Sequence, residues 1–133
     1  SVGVSVVVVN LNRRELVGRC LESLWKQTFK DFEVVVVDNG SIDGSMEFLN
    51  SLRDARLQIV SLPVNRGFAG GCNAGILCAR GRFIATLNND AEADPRWLER
   101  PHMDLDAIIL PHGPHHLTRV VLSPDHRGIR IGP

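Results

Sequence analysis

A chain of 133 residues is about one domain, with room for one core. Its 44% hydrophobic and 23% charged residues are ordinary for a soluble globular protein. Fifteen Lys and Arg balance fifteen Asp and Glu, and this zero net charge removes the bulk electrostatic case for nucleic acid binding, leaving only a local basic patch open.

The first stretch, Val4–Val9, is a β-branched run with the character of a strand buried on both faces. Ser1–Val9 has no basic n-region and is too short to span a bilayer, so it reads as a strand and not as a leader or anchor. Asn10-Leu11-Asn12 ends it. Leu16, Val17, Cys20, Leu21 and Leu24 then recur at helical spacing, which predicts an amphipathic helix over Arg14–Lys26. Phe32–Val37 is a second strand of the same character, closed by Asp38. Asn39–Gly44 reads as a turn, Ser45–Arg53 as a short helix and Leu57–Leu62 as a third strand.

Asn65–Gly71, NRGFAGG, reads as a glycine-rich loop, and Asn73–Ala79 as a helix of small residues continuing it. Small side chains let a helix lie close to a sheet, or let a ligand reach the backbone. Phe83–Leu87 is the fourth strand. Asp94 as N-cap and Pro95 at the first helical position predict a further helix. The order β-α-β-α-β-α-β-α predicts an α/β fold, a mostly parallel sheet with helices on both faces and right-handed crossovers.

After Arg100 the composition changes. All five histidines and five of the seven prolines lie there. Ala107–Leu110 and Val120–Leu122 are candidate short strands. His112, His115 and His116 lack a suitably spaced carboxylate or Cys for a metal site. Residues 1–100 are therefore read as the core and 101–133 as an atypical tail, truncated or altered. Cys20, Cys72 and Cys78 are an odd number without metal-ligand spacing, which suits small buried hydrophobes in a reducing compartment.

Ligands of an open α/β sheet sit beyond the carboxyl ends of its strands. Here those ends carry Asn10 and Asn12, Asp38, the Asn65–Gly71 loop, and Asn88-Asn89-Asp90. A carboxylate flanked by amides offers hard oxygen ligands for Mg²⁺ or Mn²⁺, and it equally suits a polar turn. Asp38 can accept from a base imide or a ribose hydroxyl, or can hold Asn39–Ser41 as an Asx-turn. Asp43, with Asp43-Gly44 preceding a helix, reads as turn or helix-cap chemistry. The N–H groups of Gly67–Gly71 can face an anion, although neither a Walker loop nor a dinucleotide fingerprint is present. Asn73 either ties this loop together or touches ligand. Asp38 and Asp90 are expected at the ends of neighbouring strands, facing one pocket.

The segments VSVVVVNLN, VVVVDNGSIDGS, NRGFAGGCNAGI and FIATLNNDAEADPRWLE, in this order and spacing, resemble the family 2 glycosyltransferases of GT-A fold, closest to their rhamnosyltransferase-like members. The resemblance covers about Val4–Glu99. It implies a Rossmann-like GT-A sandwich and an enzyme that moves a sugar, with inversion, from a nucleoside-diphosphate donor to an acceptor hydroxyl. By this likeness Asn10 and Asn12 border the base and Asp38 holds the base or ribose. Asn65, Arg66, Gly71 and Asn73 belong to the segment beside the nucleotide and its diphosphate. Asn88, Asn89 and Asp90 occupy the place of the DXD motif. The first acidic position is Asn, so the metal falls to Asp90, with diphosphate and water completing its shell. The catalytic base of the family lies beyond this point, and none of Asp104, Asp106 and Asp125 sits in a matching motif. The likeness therefore implies either a transferase with Mg²⁺ or Mn²⁺ and a glycan or lipid-linked acceptor, or a nucleotide-sugar-binding module without turnover. It implies a cytoplasmic place or one at the inner face of the membrane.

Overall fold

The structure is a computed structural model that describes residues 2–99, 108–111 and 117–121. Among these, β1 (Val2–Asn10), β2 (Phe32–Asp38), β3 (Leu57–Ser61), β4 (Gly81–Thr86), β5 (Ile108–Pro111) and β6 (Leu117–Val121) form one sheet in the order β3-β2-β1-β4-β6-β5. All pairings are parallel except that of β5 with β6. The register pairs Val4 with Phe32 and Asn10 with Asp38, so β1 and β2 end level.

The helices are α1 (Arg14–Trp25), α2 (Ser45–Ser51) and α3 (Gly67–Cys78). Side-chain alternation along β1 divides the core in two. Val4, Val6 and Val8 join Val34 and Val36 beneath Val17, Leu21 and Leu24 of α1 and Leu49 of α2. Val7 and Val9 join Val35 and Val37 beneath Cys72 and Ile76 of α3. Continuous apolar strands are what two-sided burial requires, so helices cover both faces as expected.

α3 lies close on the sheet because its inner face is small. A Cβ on Gly75 would stand 2.5 Å from Val7 Cγ1 and 2.9 Å from Val37 Cγ2. The helix begins at Gly67, not at Asn73, so most of the expected glycine-rich loop is its first two turns. The glycines lower helix propensity, but close packing on the valines outweighs that preference.

The helix expected from Pro95 is a single 3₁₀ turn, Trp97–Glu99. Fully buried Gln27 takes up its backbone instead: Nε2 donates to the Asp94 carbonyl (2.6 Å), and Oε1 accepts from the Leu98 N–H (3.1 Å). Past Arg100, the two short strands fall at Ile108–Pro111 and Leu117–Val121, β6 pairing with β4. The tail histidines and the carboxylates Asp104, Asp106 and Asp125 lie outside the described residues.

Candidate functional site

The carboxyl edge is floored by β1 and β2. Asn10 and Asp38 are level in the register and both are buried. Asn10 Nδ2 donates to Asp38 Oδ1 (3.2 Å), and Asn10 Oδ1 accepts from Asn89 Nδ2 (3.1 Å). A single chain of amide and carboxylate groups therefore crosses three strand ends. Asp38 and Asp90 are not on neighbouring strands as expected: β1 stands between β2 and β4, and Asn10 bridges them.

Asp38 also organises the loop that follows it. Oδ2 accepts from the Ser41 N–H (3.0 Å) and Oδ1 from Ser41 Oγ (2.7 Å). Of the two readings open for Asp38, turn-holding is what its geometry realises, with acceptor capacity left on Oδ2. Ser41 Oγ in turn accepts from the Asn12 N–H (2.9 Å). Asn12 has a φ of 51°, a left-handed conformation that Asn tolerates, and its Oδ1 accepts from the Ile42 N–H (2.7 Å). Of the turn and cap roles open for Asp43, it takes the turn: Gly44 is the N-cap residue of α2, and no side chain caps it. Asp43 accepts from the N–H and hydroxyl of Ser45 and from the Arg14 N–H, tying the starts of α1 and α2 together. The Ser45 hydroxyl foremost lowers its carboxyl below the usual range.

On the α3 side, Asn65 Oδ1 accepts from the Gly67 N–H (2.8 Å), where Gly67 has a φ of +76° that suits only glycine without strain. Arg66 is exposed and has no ion pair among the described residues. Gly71 is buried, and a Cβ there would meet Val9 Cγ1 at 2.7 Å, so it faces the sheet. Asn73 is half-buried on α3 and its side chain makes no hydrogen bond among the described residues, so it does not tie the segment together. That tie is made by Asn39, which the motif reading passed over inside a turn.

At the end of β4, Asn88 and Asn89 are half-buried and Asp90 is exposed. The Asn88 carbonyl accepts from the Ala91 N–H (3.0 Å) and the Cys20 thiol (3.6 Å), which fixes a turn with Asp90 at its tip. Burial first, then the charges of Asp90 and Glu92, push the Cys20 thiol up to about 12. No group of three or more His, Cys, Asp or Glu that could hold a metal occurs among the described residues. The donors at this turn are the Asp90 carboxylate, the Asn88 amide and the Asn89 amide oxygen, all hard oxygens. Such a set fits Mg²⁺ or Mn²⁺, which take one or two carboxylates and leave the remaining positions to phosphate and water. It does not make a protein-only cage.

The profile of glycosyl transferase family 2 matches residues 5–101. The chain belongs to this family. Among its relatives, the succinoglycan biosynthesis protein ExoO of Rhizobium meliloti is 36% identical over 128 residues, 96% of this chain and 36% of that protein. That alignment runs past the end of the family match. S. aureus TarS 1-349 in complex with UDP-GlcNAc is similar in structure, with a TM-score of 0.72 at 27% identity over 80% of this chain and 33% of that one. The mannosyltransferase PcManGT of Pyrobaculum calidifontis, in complex with GDP-Man and Mn²⁺, gives a TM-score of 0.63 at 28% identity over 74% and 32% of the two chains. The chain thus spans about a third of the length of these proteins. The Rossmann-like GT-A fold expected for a family 2 glycosyltransferase is present, and the order of its strands brings Asn10, Asp38, Asn89 and Asp90 to one edge.

Proposed function

We propose that this chain is the donor-binding core of an inverting glycosyltransferase that uses a nucleoside-diphosphate sugar and Mg²⁺ or Mn²⁺. The observation that carries the reading is the unbroken run Asp38–Asn10–Asn89, ending beside exposed Asp90 at the carboxyl edge. The likeness to proteins whose structures hold UDP-GlcNAc, or GDP-Man with Mn²⁺, supports it.

In this reading Asp38, Asn10 and Asn12 form the base and ribose end, and Asn65 and Arg66 lie beside the diphosphate. Gly71 sets the depth of α3 against the sheet, and Asn73 lies on its flank toward the donor. Asn88 and Asn89 orient the turn and Asp90 holds the cation. When bound, the cation stabilises the charge that grows on the departing nucleoside diphosphate. The chain's own contribution is a preset geometry: the amide run keeps both ends of the donor in register with β1, β2 and β4. The acceptor is a glycan or a lipid-linked saccharide, and its hydroxyl needs a general base on the opposite face of the sugar. That base is not among the site residues above. A cytoplasmic place, at the inner face of a membrane where the acceptor is lipid-linked, belongs to the same reading.

A nucleotide-sugar-binding module without turnover is the second reading, favoured by the groups gathered at this edge, Asp38, Asn10 and Asn89, which hold and position rather than supply a base. Release of nucleoside diphosphate from UDP-, dTDP- and GDP-sugars, with Mn²⁺ and with or without glycan and lipid-linked acceptors, separates the two. Turnover supports the transferase. Binding without turnover supports the module. Failure of every nucleotide to bind contradicts both.

A further inference from the structure

Asn39 sits next to Asp38 but serves the opposite side of the site. It is 2% exposed. Its backbone N–H donates to the Asn10 carbonyl (2.8 Å), which anchors it to the end of β1. Both ends of its carboxamide meet the start of α3: Oδ1 accepts from the Arg66 N–H (2.9 Å), and Nδ2 donates to the Gly67 carbonyl (2.9 Å). The two bonds bracket the Arg66–Gly67 peptide bond, from the N–H before it to the carbonyl after it. Gly71, one turn into α3, lies against the same amide, its Cβ position being 3.3 Å from Nδ2. Asp38 and Asn39 thus divide the site. The carboxylate folds the Ser41 loop on one side, and the carboxamide fixes Arg66 and Gly67 on the other.

We propose that Asn39 is a positioning residue for the donor diphosphate. It sets the height of Arg66 and of the first turn of α3 above the strand ends, and through them the affinity for the diphosphate. This rests on the donor-site reading above. No side chain caps α3, so the placement of its first turn depends on Asn39 and on the Asn65 bond to Gly67. Removing the carboxamide leaves the Arg66 N–H and Gly67 carbonyl, on two exposed residues, to water alone, which frees that turn to move outward. An aspartate keeps the acceptor for Arg66 N–H. It loses the donor to Gly67 and sets a negative charge facing the diphosphate.

Two measurements on the whole chain test this. The first is amide hydrogen exchange without nucleotide. Asn39→Ala is expected to speed exchange at Arg66 about tenfold or more, with β2 and α2 unchanged, because the Arg66 N–H loses its only side-chain acceptor among the described residues. Asn39→Asp is expected to restore protection at Arg66. Unchanged protection in Asn39→Ala overturns the proposal. The second is calorimetric binding of UDP and of uridine with Mn²⁺. Asn39→Ala and Asn39→Asp are both expected to weaken UDP about tenfold or more while leaving uridine within about twofold. Equal loss for UDP and uridine, or none for either, overturns the proposal and leaves the donor reading standing. Wild-type protein that binds neither ligand removes the donor reading, and the positioning role with it. If Asn39→Ala does not fold, Asn39→Ser, uncharged and too short to hold both Arg66 and Gly67, takes its place in both measurements.

Discussion

At the scale of single residues, the polar groups of this chain fall into two sets. One set lines the carboxyl edge. The other, at the opposite edge, locks the sheet. There buried Glu33 accepts from Ser5 Oγ (2.6 Å), from the Arg80 N–H (2.7 Å) and from the Arg80 guanidinium, while Ser5 Oγ accepts from the Gly81 N–H (2.8 Å). Glu33→Ala removes both carboxylate oxygens that accept from Ser5 and Arg80 and is expected to cost about 3 kcal/mol by urea unfolding, the range for breaking a buried charged network. The cysteines give a second residue-scale prediction. Burial pushes the Cys20 and Cys72 thiols up to about 12, while Cys78 is half-buried. At about pH 8 the native protein is expected to alkylate at Cys78 only, by mass spectrometry, since the thiolate is the reactive form. Both buried thiols stay protonated in the fold and ionise near 8.5 once unfolded. Their contribution is therefore intact below that pH and lost as pH rises toward 12, so stability should fall over that window. The motif residues themselves were legible as polar strand ends. What was not legible was which partner each one takes. DNGS reads as a turn whether Asp38 faces Ser41 or a ligand, and Asn39 has no mark that separates a bridge to Arg66 from an ordinary turn amide.

At the scale of elements, periodicity served where one driving force dominates. The valine runs of β1 and β2 have no competing reading, and α1 shows its buried stripe in Val17, Cys20, Leu21 and Leu24. It failed for α3, where GFAGG suggests a loop and close packing on Val7 and Val37 makes a helix. The cap signal at Asp94-Pro95 overran as well, because Gln27 captures the backbone groups at Asp94 and Leu98 that a longer helix would use. Gly75→Ala tests the α3 account. Alanine raises helix propensity by about 1 kcal/mol, but its Cβ would press on Val7 and Val37, and overpacking costs about 1–3 kcal/mol. A net fall in Tm is expected. A rise would mean that α3 has room to lift from the sheet without loss.

At the scale of the whole molecule, the strand order decides what the site can be. Placing β1 between β2 and β4 puts Asn10 at the centre and makes Asp38 and Asp90 two ends of one site, joined by amides rather than by contact. Four motifs in order were enough to indicate this family and its fold. The crossing order of strands lies in tertiary packing, and a list of motifs does not contain it. The central claim is that Asp90 holds a divalent cation on a nucleoside diphosphate bound along this edge. Asp90 is exposed at a turn, so Asp90→Asn should leave the fold intact. The most direct test is calorimetric titration of wild-type and Asp90→Asn protein with UDP, dTDP and GDP, each with and without Mn²⁺. The expected result is that at least one nucleotide binds the wild type, that Mn²⁺ tightens it, and that Asp90→Asn loses the Mn²⁺-dependent part, about tenfold or more. Equal affinity of the two proteins in Mn²⁺, or binding of no nucleotide by the wild type, would contradict the account.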